Sequence, residues 1–253
     1  MGPTSVAWFT SPDGRSWTRQ SDDMATKFVS LGLSQRADGS LWLSGIDQSG
    51  LASAAEQEQG PVPSGFIGTD GGWTKTEWPQ VRDPNALEYI DPQWSGDRLW
   101  YLSRKGGGDP KLGGGKNEIR SAPEVQVHYS EAGIADPSPV EFQGQRFVFI
   151  TGQPSGIVQL GESTGRASTL SEIRRWPAVT VPFAVVVGDE LWLLGQHNMN
   201  GKRQPVVRRS SDGQNWPGEW QPMLPPNSVG NCTSPVMGPW LDGYVLLCVD
   251  EDA

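Results

Sequence analysis

A short pattern recurs five times along the chain: a turn that contains glycine, followed by an apolar run that usually includes an aromatic residue. The five copies are Asp38–Leu43, Ser95–Leu102, Gln143–Ile150, Val187–Leu194 and Leu241–Leu247. Dipeptides such as Asp-Gly and Gly-Asp between apolar runs are typical of tight hairpin turns, because glycine adopts the positive φ that these turns require. The sequence therefore predicts five equivalent β-hairpins.

The spacing of the turn glycines at 39, 96, 144, 188 and 243 indicates a closed repeat. Successive glycines lie 57, 48, 44 and 55 residues apart, and 49 residues separate the last from the first when counted through the termini. A four-stranded propeller blade takes about 40–50 residues. The 32 glycines and 21 prolines disfavour long helices. We therefore expect an all-β, five-bladed β-propeller.

A second motif, S-x-D-G-x-x-W, occurs at Ser11–Trp17 and Ser210–Trp216, with a shortened copy at Thr69–Trp73. It resembles the Asp-box of sialidases and related propellers, with one residue fewer before the glycine. The resemblance implies a turn between the two outer strands of a blade, in which the aspartate caps backbone amides and the tryptophan packs between blades. Asp13 and Asp212 are therefore interpreted as structural residues.

The order of the two motifs predicts how the ring closes. The hairpin at Gly243 has no S-x-D-G-x-x-W motif after it, and the motif at Asp13 has no hairpin before it. Residues 4–20 should therefore supply the outer strands of the last blade, which hides edges that an open sheet would expose. The blades predicted for the single domain 1–253 cover about 24–80, 81–131, 132–176, 177–222, and 229–253 together with 4–20.

Charge and composition narrow the choice of partners. The formal net charge is −9 and the isoelectric point about 4.7, which argues against nucleic acid or an anionic membrane surface as the partner. No apolar run is long enough to predict a membrane-spanning helix, and the first residues do not resemble a signal peptide. Cys and His do not cluster with zinc spacing, so neither a metal nor another cofactor is expected.

The innermost strand of each propeller blade lines the central channel, so the starts of these strands surround one channel mouth. The residue eight before the turn glycine is Asp136 in the third unit and Thr180 in the fourth, and Thr233 lies near the same place in the fifth. If the residues around Trp94 are an insertion, the Asp-Pro pair at Asp83 aligns with the one at Asp136. These side chains are predicted to meet at the mouth.

With Asp-Pro at strand starts, glycine-containing hairpins and aromatic strands, the chain resembles the five-bladed propeller glycosidases of the arabinanase, β-xylosidase and levansucrase type. In that family three carboxylates surround the sugar: an Asp base or nucleophile, an Asp that tunes the acid, and a Glu acid in a Glu-Gly-Pro-like segment. The resemblance assigns the first role to Asp83 and the second to Asp136, but the third position is Thr180 and no Glu-Gly-Pro occurs. Because a threonine hydroxyl does not supply a proton at neutral pH, hydrolysis would need another glutamate, such as Glu88 or Glu131.

The missing acid favours a non-catalytic propeller that binds a glycan or a similar small polar ligand at the channel mouth. The candidate ligand-binding residues are Asp83, Asp136, Thr180, Thr233, Trp94, Trp240 and His197. The tryptophans would stack on a sugar face. The alternative is a glycoside hydrolase of the five-bladed type acting on furanosides or polysaccharides, and a protein-interaction scaffold is the third interpretation, since one fold hosts many functions.

The cellular compartment is predicted from the same resemblance. Abundant glycine, proline and tryptophan, few lysines and the Asp-box-like turns resemble secreted bacterial propellers, which implies a secreted or periplasmic protein. Cys232 and Cys248 flank the last hairpin, so a disulfide across it is sterically feasible. Such a bond would support an oxidising compartment.

Overall fold

The computed structural model describes residues 5–20, 28–35, 40–47, 63–69, 72–76, 89–95, 98–104, 116–122, 126–162, 169–225 and 228–251. These residues form twenty β-strands, and no helix long and apolar enough to cross a membrane occurs among them. In chain order the strands are β1 Ser5–Ser11, β2 Thr18–Arg19, β3 Phe28–Gln35, β4 Leu41–Asp47, β5 Pro63–Thr69, β6 Gly72–Thr76, β7 Tyr89–Ser95, β8 Arg98–Arg104, β9 Lys116–Ala122, β10 Gln126–Ala132, β11 Ala135–Phe142, β12 Gln145–Gly152, β13 Gly156–Glu162, β14 Leu170–Pro177, β15 Val179–Val187, β16 Glu190–Met199, β17 Lys202–Ser210, β18 Gln221–Pro222, β19 Cys232–Trp240 and β20 Gly243–Asp250.

The strands form five antiparallel sheets of four strands each. Blade 1 is β3 to β6, blade 2 is β7 to β10, blade 3 is β11 to β14, blade 4 is β15 to β18, and blade 5 has the order β19-β20-β1-β2. The innermost strands β3, β7, β11, β15 and β19 each contact the next one around a closed ring. The structure therefore confirms the predicted all-β, five-bladed propeller.

The N-terminal strands close the last blade, as predicted. β1 pairs with β20 along its whole length, from Ser5 opposite Asp250 to Ser11 opposite Tyr244. The side chain of Phe9 is 1% exposed, and it belongs to the same apolar cluster as residues of blades 1, 4 and 5. The first strand of the chain is thus both a hydrogen-bonded partner and a part of the core.

Apolar side chains of the second strand in each blade are buried between neighbouring blades. Trp100 of β8 packs in one cluster with Val148 and Ile150 of β12, in the next blade. Trp192 of β16 lies in a cluster with Met237 of β19. Burial of such faces is the main favourable term in folding, which explains why the aromatic strand recurs once per blade.

The two S-x-D-G-x-x-W turns join outer strands, β1 to β2 and β17 to β18, and share one hydrogen-bond pattern. Asp13 Oδ1 accepts from the backbone N–H groups of Arg15 and Ser16 at 2.8 and 2.9 Å. Asp212 Oδ1 accepts from those of Gln214 and Asn215 at 2.8 and 2.7 Å. These backbone bonds lower the pKa of both carboxyl groups, so both aspartates act as structural caps.

Every innermost strand has a β-bulge near its start. Three steps along the innermost strand match two steps along its partner, as from Ala135 to Ser138 against Thr151 to Phe149, and the same jump occurs in all five blades. In blades 2 to 5 the second bulged residue is proline, which lacks the N–H that regular pairing would use. We call the channel mouth beside these bulges the bulge end and the opposite mouth, at the hairpin turns, the hairpin end.

The inner hairpin of blade 2 is shorter than the other four. After its bulge, β7 forms three register pairs with β8, whereas the inner hairpins of blades 1, 3, 4 and 5 form five. The residues around Trp94 are therefore not an insertion: they form a hairpin that is two pairs short. At about 3.3 Å per residue, blade 2 stops about 7 Å before its neighbours at the hairpin end.

A disulfide joins the first two strands of blade 5. Cys232 of β19 and Cys248 of β20 are bonded, with their Cα atoms 5.4 Å apart. Cys232 is opposite Asp250 in the register, two residues from Cys248. The bond thus crosses the hairpin diagonally at its bulge end, beside the place where the register jumps.

Candidate functional site

The bulges determine which residue of each innermost strand stands at the channel mouth. Asp136 occupies the bulge of blade 3, and its counterparts are Val181 in blade 4 and Ser234 in blade 5. Thr180 and Thr233, predicted at this position, lie one residue earlier, before the bulge. Counting eight residues back from the turn glycine gives the wrong residue in blade 4, because the glycine is the second turn residue in blade 3 but the first in blade 4.

In blade 2 the counterpart of Asp136 is Asp91, not Asp83. The bulge of β7 contains Asp91 followed by Pro92, the same Asp-Pro pair as in blade 3. Asp83 lies outside the described residues. The sequence alignment failed because it assumed an insertion in blade 2, whereas the hairpin is shortened.

Asp136 is held in place by a threonine that also bonds to the next blade. Its φ is +52°, a backbone conformation that non-glycine residues rarely adopt. Thr151 Oγ1 donates to Asp136 Oδ2 at 2.7 Å and accepts from the backbone N–H of Val181 at 2.9 Å. These two hydrogen bonds fix the orientation of the Asp136 carboxylate relative to blade 4.

The same kind of link joins blades 4 and 5. Gln196 has in β16 the register position that Thr151 has in β12, and its Oε1 accepts from the backbone N–H of Ser234 at 3.3 Å. Val181 and Ser234 also have positive φ, +52° and +50°. The strained residue of each of these two bulges is thus tied to the second strand of the preceding blade, which makes the bulge end a rigid rim.

Three further polar residues lie at the bulge end of blades 4 and 5. His197 follows Gln196 in β16 and is half-buried, opposite Val179. Glu251 lies at the end of β20, where its carboxylate pairs with Arg203 at 3.1 Å and is 3.5 Å from the Thr233 hydroxyl. His197 and Thr233 therefore lie at the predicted end of the channel, and Glu251 is a rim carboxylate that the sequence did not indicate.

The two candidate tryptophans lie at the other end of the channel. Trp94 pairs with Leu99 next to the blade 2 turn, and Trp240 pairs with Gly243 next to the blade 5 turn. The Trp240 ring stacks on Trp73 with centroids 5.2 Å apart. The prediction that these tryptophans share a mouth with Asp136 was therefore wrong: they follow the bulge by several residues in strands that run away from it.

Glu131 does not supply the missing acid at the bulge end. It lies in β10, the outermost strand of blade 2, where its Oε2 accepts from the Tyr129 hydroxyl at 2.6 Å. Burial, followed by this bond, raises the pKa of Tyr129 to about 12. Glu88 lies outside the described residues.

The described part of the bulge end offers two carboxylates of known geometry, Asp136 and Glu251, and Glu251 is paired with Arg203. At the position where the resemblance places an acid, Val181 offers no proton. Within the residues that the structure describes, no group of three His, Cys, Asp or Glu side chains could hold a metal ion. The donors and acceptors present are those that bind hydroxyl groups.

Asp91 and Thr151 are, with Glu251 and Gln196, among the residues of this site that sequence reasoning missed. Asp91 carried a usable signal, because Asp91-Pro92 repeats the Asp136-Pro137 dipeptide closer to its hairpin. Thr151 carried none, since its role depends on an inter-blade contact that no local pattern specifies.

No protein-family model and no curated protein sequence matches the chain, but solved structures share its fold. A thermostable family-43 glycoside hydrolase superposes with a TM-score of 0.59 at 8% identity, over 88% of this chain and 89% of that one. The exo-β-1,3-galactanase of Phanerochaete chrysosporium, solved with galactose, gives 0.59 at 11% identity, over 95% of this chain and 64% of the galactanase. The α-L-arabinanase of Cellvibrio cellulosa gives 0.55 at 11% identity, over 87% and 86%. At these identities the likeness shows a shared fold, the five-bladed propeller that the sequence resemblance implied.

Proposed function

We propose that this propeller is a glycoside hydrolase that takes a furanoside or polysaccharide at the bulge end, with Asp91 and Asp136 as its carboxylates. The observation that carries the proposal is the pair of aspartates at the same bulge position of neighbouring blades. The fold shared with family-43 glycoside hydrolases supports the same class of substrate. Non-catalytic glycan binding, favoured by the sequence alone, becomes the second candidate.

Two carboxyl groups are the minimum for this chemistry. One protonates the leaving glycosidic oxygen, and the other activates water or attacks the sugar from the opposite side. The Thr151 hydroxyl donates to Asp136, which suits Asp136 to the second role. Asp91 then takes the role of the acid, and the proposal requires the two carboxyl groups to be about 5–10 Å apart, the separation that such hydrolysis uses.

Val181 is the observation that favours the second candidate. It occupies the bulge of blade 4, where the family resemblance would place the third carboxylate. Without that group the mouth could bind a glycan through hydrogen bonds and leave it intact. The partner is carbohydrate in both cases.

The two candidates are separated by measuring turnover and binding on the same samples. Arabinan, xylan and β-1,3-galactan are incubated with the protein, and reducing ends and affinity are recorded. The hydrolase proposal predicts turnover that falls about 10²–10⁴-fold in Asp136→Asn and in Asp91→Asn. Asp189→Asn, a matched change in an exposed turn at the hairpin end, should leave turnover unchanged.

Binding without turnover would replace the hydrolase proposal with the non-catalytic one. Absence of both binding and turnover on every polysaccharide would overturn the two candidates together.

A secreted or periplasmic location remains part of the proposal. The Cys232–Cys248 bond supports it, because disulfides persist in oxidising compartments. Alkylation of the protein in intact cells tests it: two reactive thiols in the native chain would contradict this location.

A further inference from the structure

The channel contains a cavity of about 270 Å³ on the side of the hairpin end, away from Asp136. All five innermost strands contribute to its wall, including Leu33, Gln93, Val140, Phe183 and Met237. It lies where the blade 2 hairpin stops two register pairs short of its neighbours. The missing pairs leave a gap in the ring beside Ser95, the last residue of β7, which also lines the cavity.

A glutamine, Gln93, lines this cavity. Gln93 is 5% exposed, and within the described residues its side-chain amide makes no hydrogen bond. The amide atoms of Gln93 are not among the fully buried polar atoms that lack a partner, so they reach the cavity, where water or a ligand can bond to them.

The neighbouring blades show why Gln93 lacks a partner among the described residues. Gln93 is the first paired residue after its bulge, and its counterpart in blade 3 is Ser138. Ser138 Oγ accepts from the backbone N–H of Ala184 in blade 4, at 2.9 Å. The residue in blade 3 that corresponds to Ala184 is Pro139, which has no N–H to donate.

We propose that this cavity is a second binding site, for a small neutral polyhydroxy molecule such as a monosaccharide or polyol. The Gln93 amide both donates and accepts, as paired hydroxyl groups require, and the walls at Leu33, Phe183 and Met237 suit the C–H face of a sugar. The charged group at the wall, Glu141, is already bonded to Arg146 at 2.6 Å, so a neutral ligand fits best. The volume is close to the lower end of small-molecule sites, about 300 Å³.

The site is tested by NMR titration with D-galactose and L-arabinose, following the side-chain amide signal of Gln93 in the parent chain and the backbone amide signal of Val140, which also lines the cavity, in every variant. Either sugar should shift these signals in a saturable way. Gln93→Leu should weaken binding at this site about tenfold, and Ser95→Trp should abolish it by filling the gap. Asp136→Asn should leave it unchanged, because Asp136 lies at the other end. This last variant also keeps the test independent of the proposed hydrolase site.

The unliganded protein gives a second, independent measurement. Because the Gln93 amide faces the cavity and bonds to no described residue, Gln93→Leu removes no internal hydrogen bond and should unfold at the same or a higher temperature than the parent chain. Clear destabilisation by this variant would mean that Gln93 has a structural partner, and it would overturn the proposal. So would the absence of a saturable shift with both sugars, or sugar binding that Gln93→Leu and Ser95→Trp leave unchanged.

Discussion

The bulge end and the hairpin end of the channel are built differently, although the same five strands form both. Towards the hairpin end the inner hairpins of four blades run in unbroken register for five pairs. Towards the bulge end every innermost strand breaks its register. Side chains such as Thr151 and Gln196 then bond to the backbone of the next blade.

In the proposed function, the regular hairpins close the ring and the bulge end binds the ligand. Regular strand pairing needs only side chains that alternate between the two faces of a strand and a tight turn, so the inner hairpins of four blades are equivalent. The bulges place strained residues, among them Asp136 and Val181, at one rim, and such departures are typical of functional sites. The shortened hairpin of blade 2 lies beside the cavity at the hairpin end.

The largest effect is expected from deleting residues 1–20. Without them blade 5, which contributes to both ends of the channel, lacks its two outer strands. The deletion removes β1, so β20 loses its outer neighbour from Tyr244 to Asp250 and keeps only β19 as a partner. Burial of a side chain such as Phe9 is worth about 1.5–3 kcal/mol, against a total stability of about 5–15 kcal/mol. We expect an insoluble chain, or a melting temperature at least about 15 °C lower by calorimetry. Melting within a few degrees of the full chain would contradict the closure.

Removing the disulfide should be the next largest effect, and it acts at the bulge end of one blade. The bond spans 16 residues, and a loop of this size is worth about 3 kcal/mol. Reduction, or the double variant Cys232→Ala with Cys248→Ala, should lower the free energy of unfolding in urea by that amount. An unchanged urea midpoint after reduction would show that the bond does not constrain the chain.

Thr151→Val probes the link between the blade 3 and blade 4 bulges. The change keeps the shape but leaves the Val181 N–H and the Asp136 carboxylate without this partner. We expect a loss of about 1–3 kcal/mol in urea and weaker glycan binding. Thr151→Ser retains the hydroxyl and serves as the control. Equal losses in the two variants would mean that the methyl group, rather than the hydrogen bonds, matters.

Gly144→Ala tests the hairpin end, where a smaller effect is expected. Gly144 has φ +73°, and a Cβ added there would meet no atom within 4 Å, so the cost is confined to the backbone. We expect a loss of about 1 kcal/mol, with no change in glycan binding. Gly144→Asn should cost less, since asparagine tolerates this conformation. A loss of binding in either variant would break the proposed separation of the ends.

The smallest effect is expected for Asp212, which should contribute to the loss of stability at acid pH. Backbone bonds from Asn215, first, and from Gln214 lower the pKa of Asp212 below its ordinary value of 3.8. A lowered pKa contributes stability above the ordinary value that is lost as the pH falls through the folded-state value. Thermal melts from pH 5 to pH 2 should therefore show a shallower decline in Asp212→Asn. Parallel curves for the two proteins would contradict the capping role.

The sequence predicted the five blades and their closure better than it predicted which residues lie at the bulge end. Glycine turns and aromatic strands are local signals, so the five blades, the closure through residues 4–20 and the burial of the repeated strands could be read from spacing. The bulges could not be predicted from spacing, because a jump in register depends on the sequence and position of the partner strand. The sequence therefore indicated Asp83 rather than Asp91, and Thr180 rather than Val181. It also placed Trp94 and Trp240 at the wrong end of the channel.

The most direct test of the central claim, that the bulge end receives carbohydrate at its aspartates, is a crystal structure of the Asp136→Asn variant soaked with an arabino- or galacto-oligosaccharide. We predict sugar hydroxyls or the glycosidic oxygen within about 2.6–3.2 Å of the side chains at positions 136 and 91. An oligosaccharide bound only at the hairpin end or on the outer surface, or no bound oligosaccharide at all, would contradict the claim.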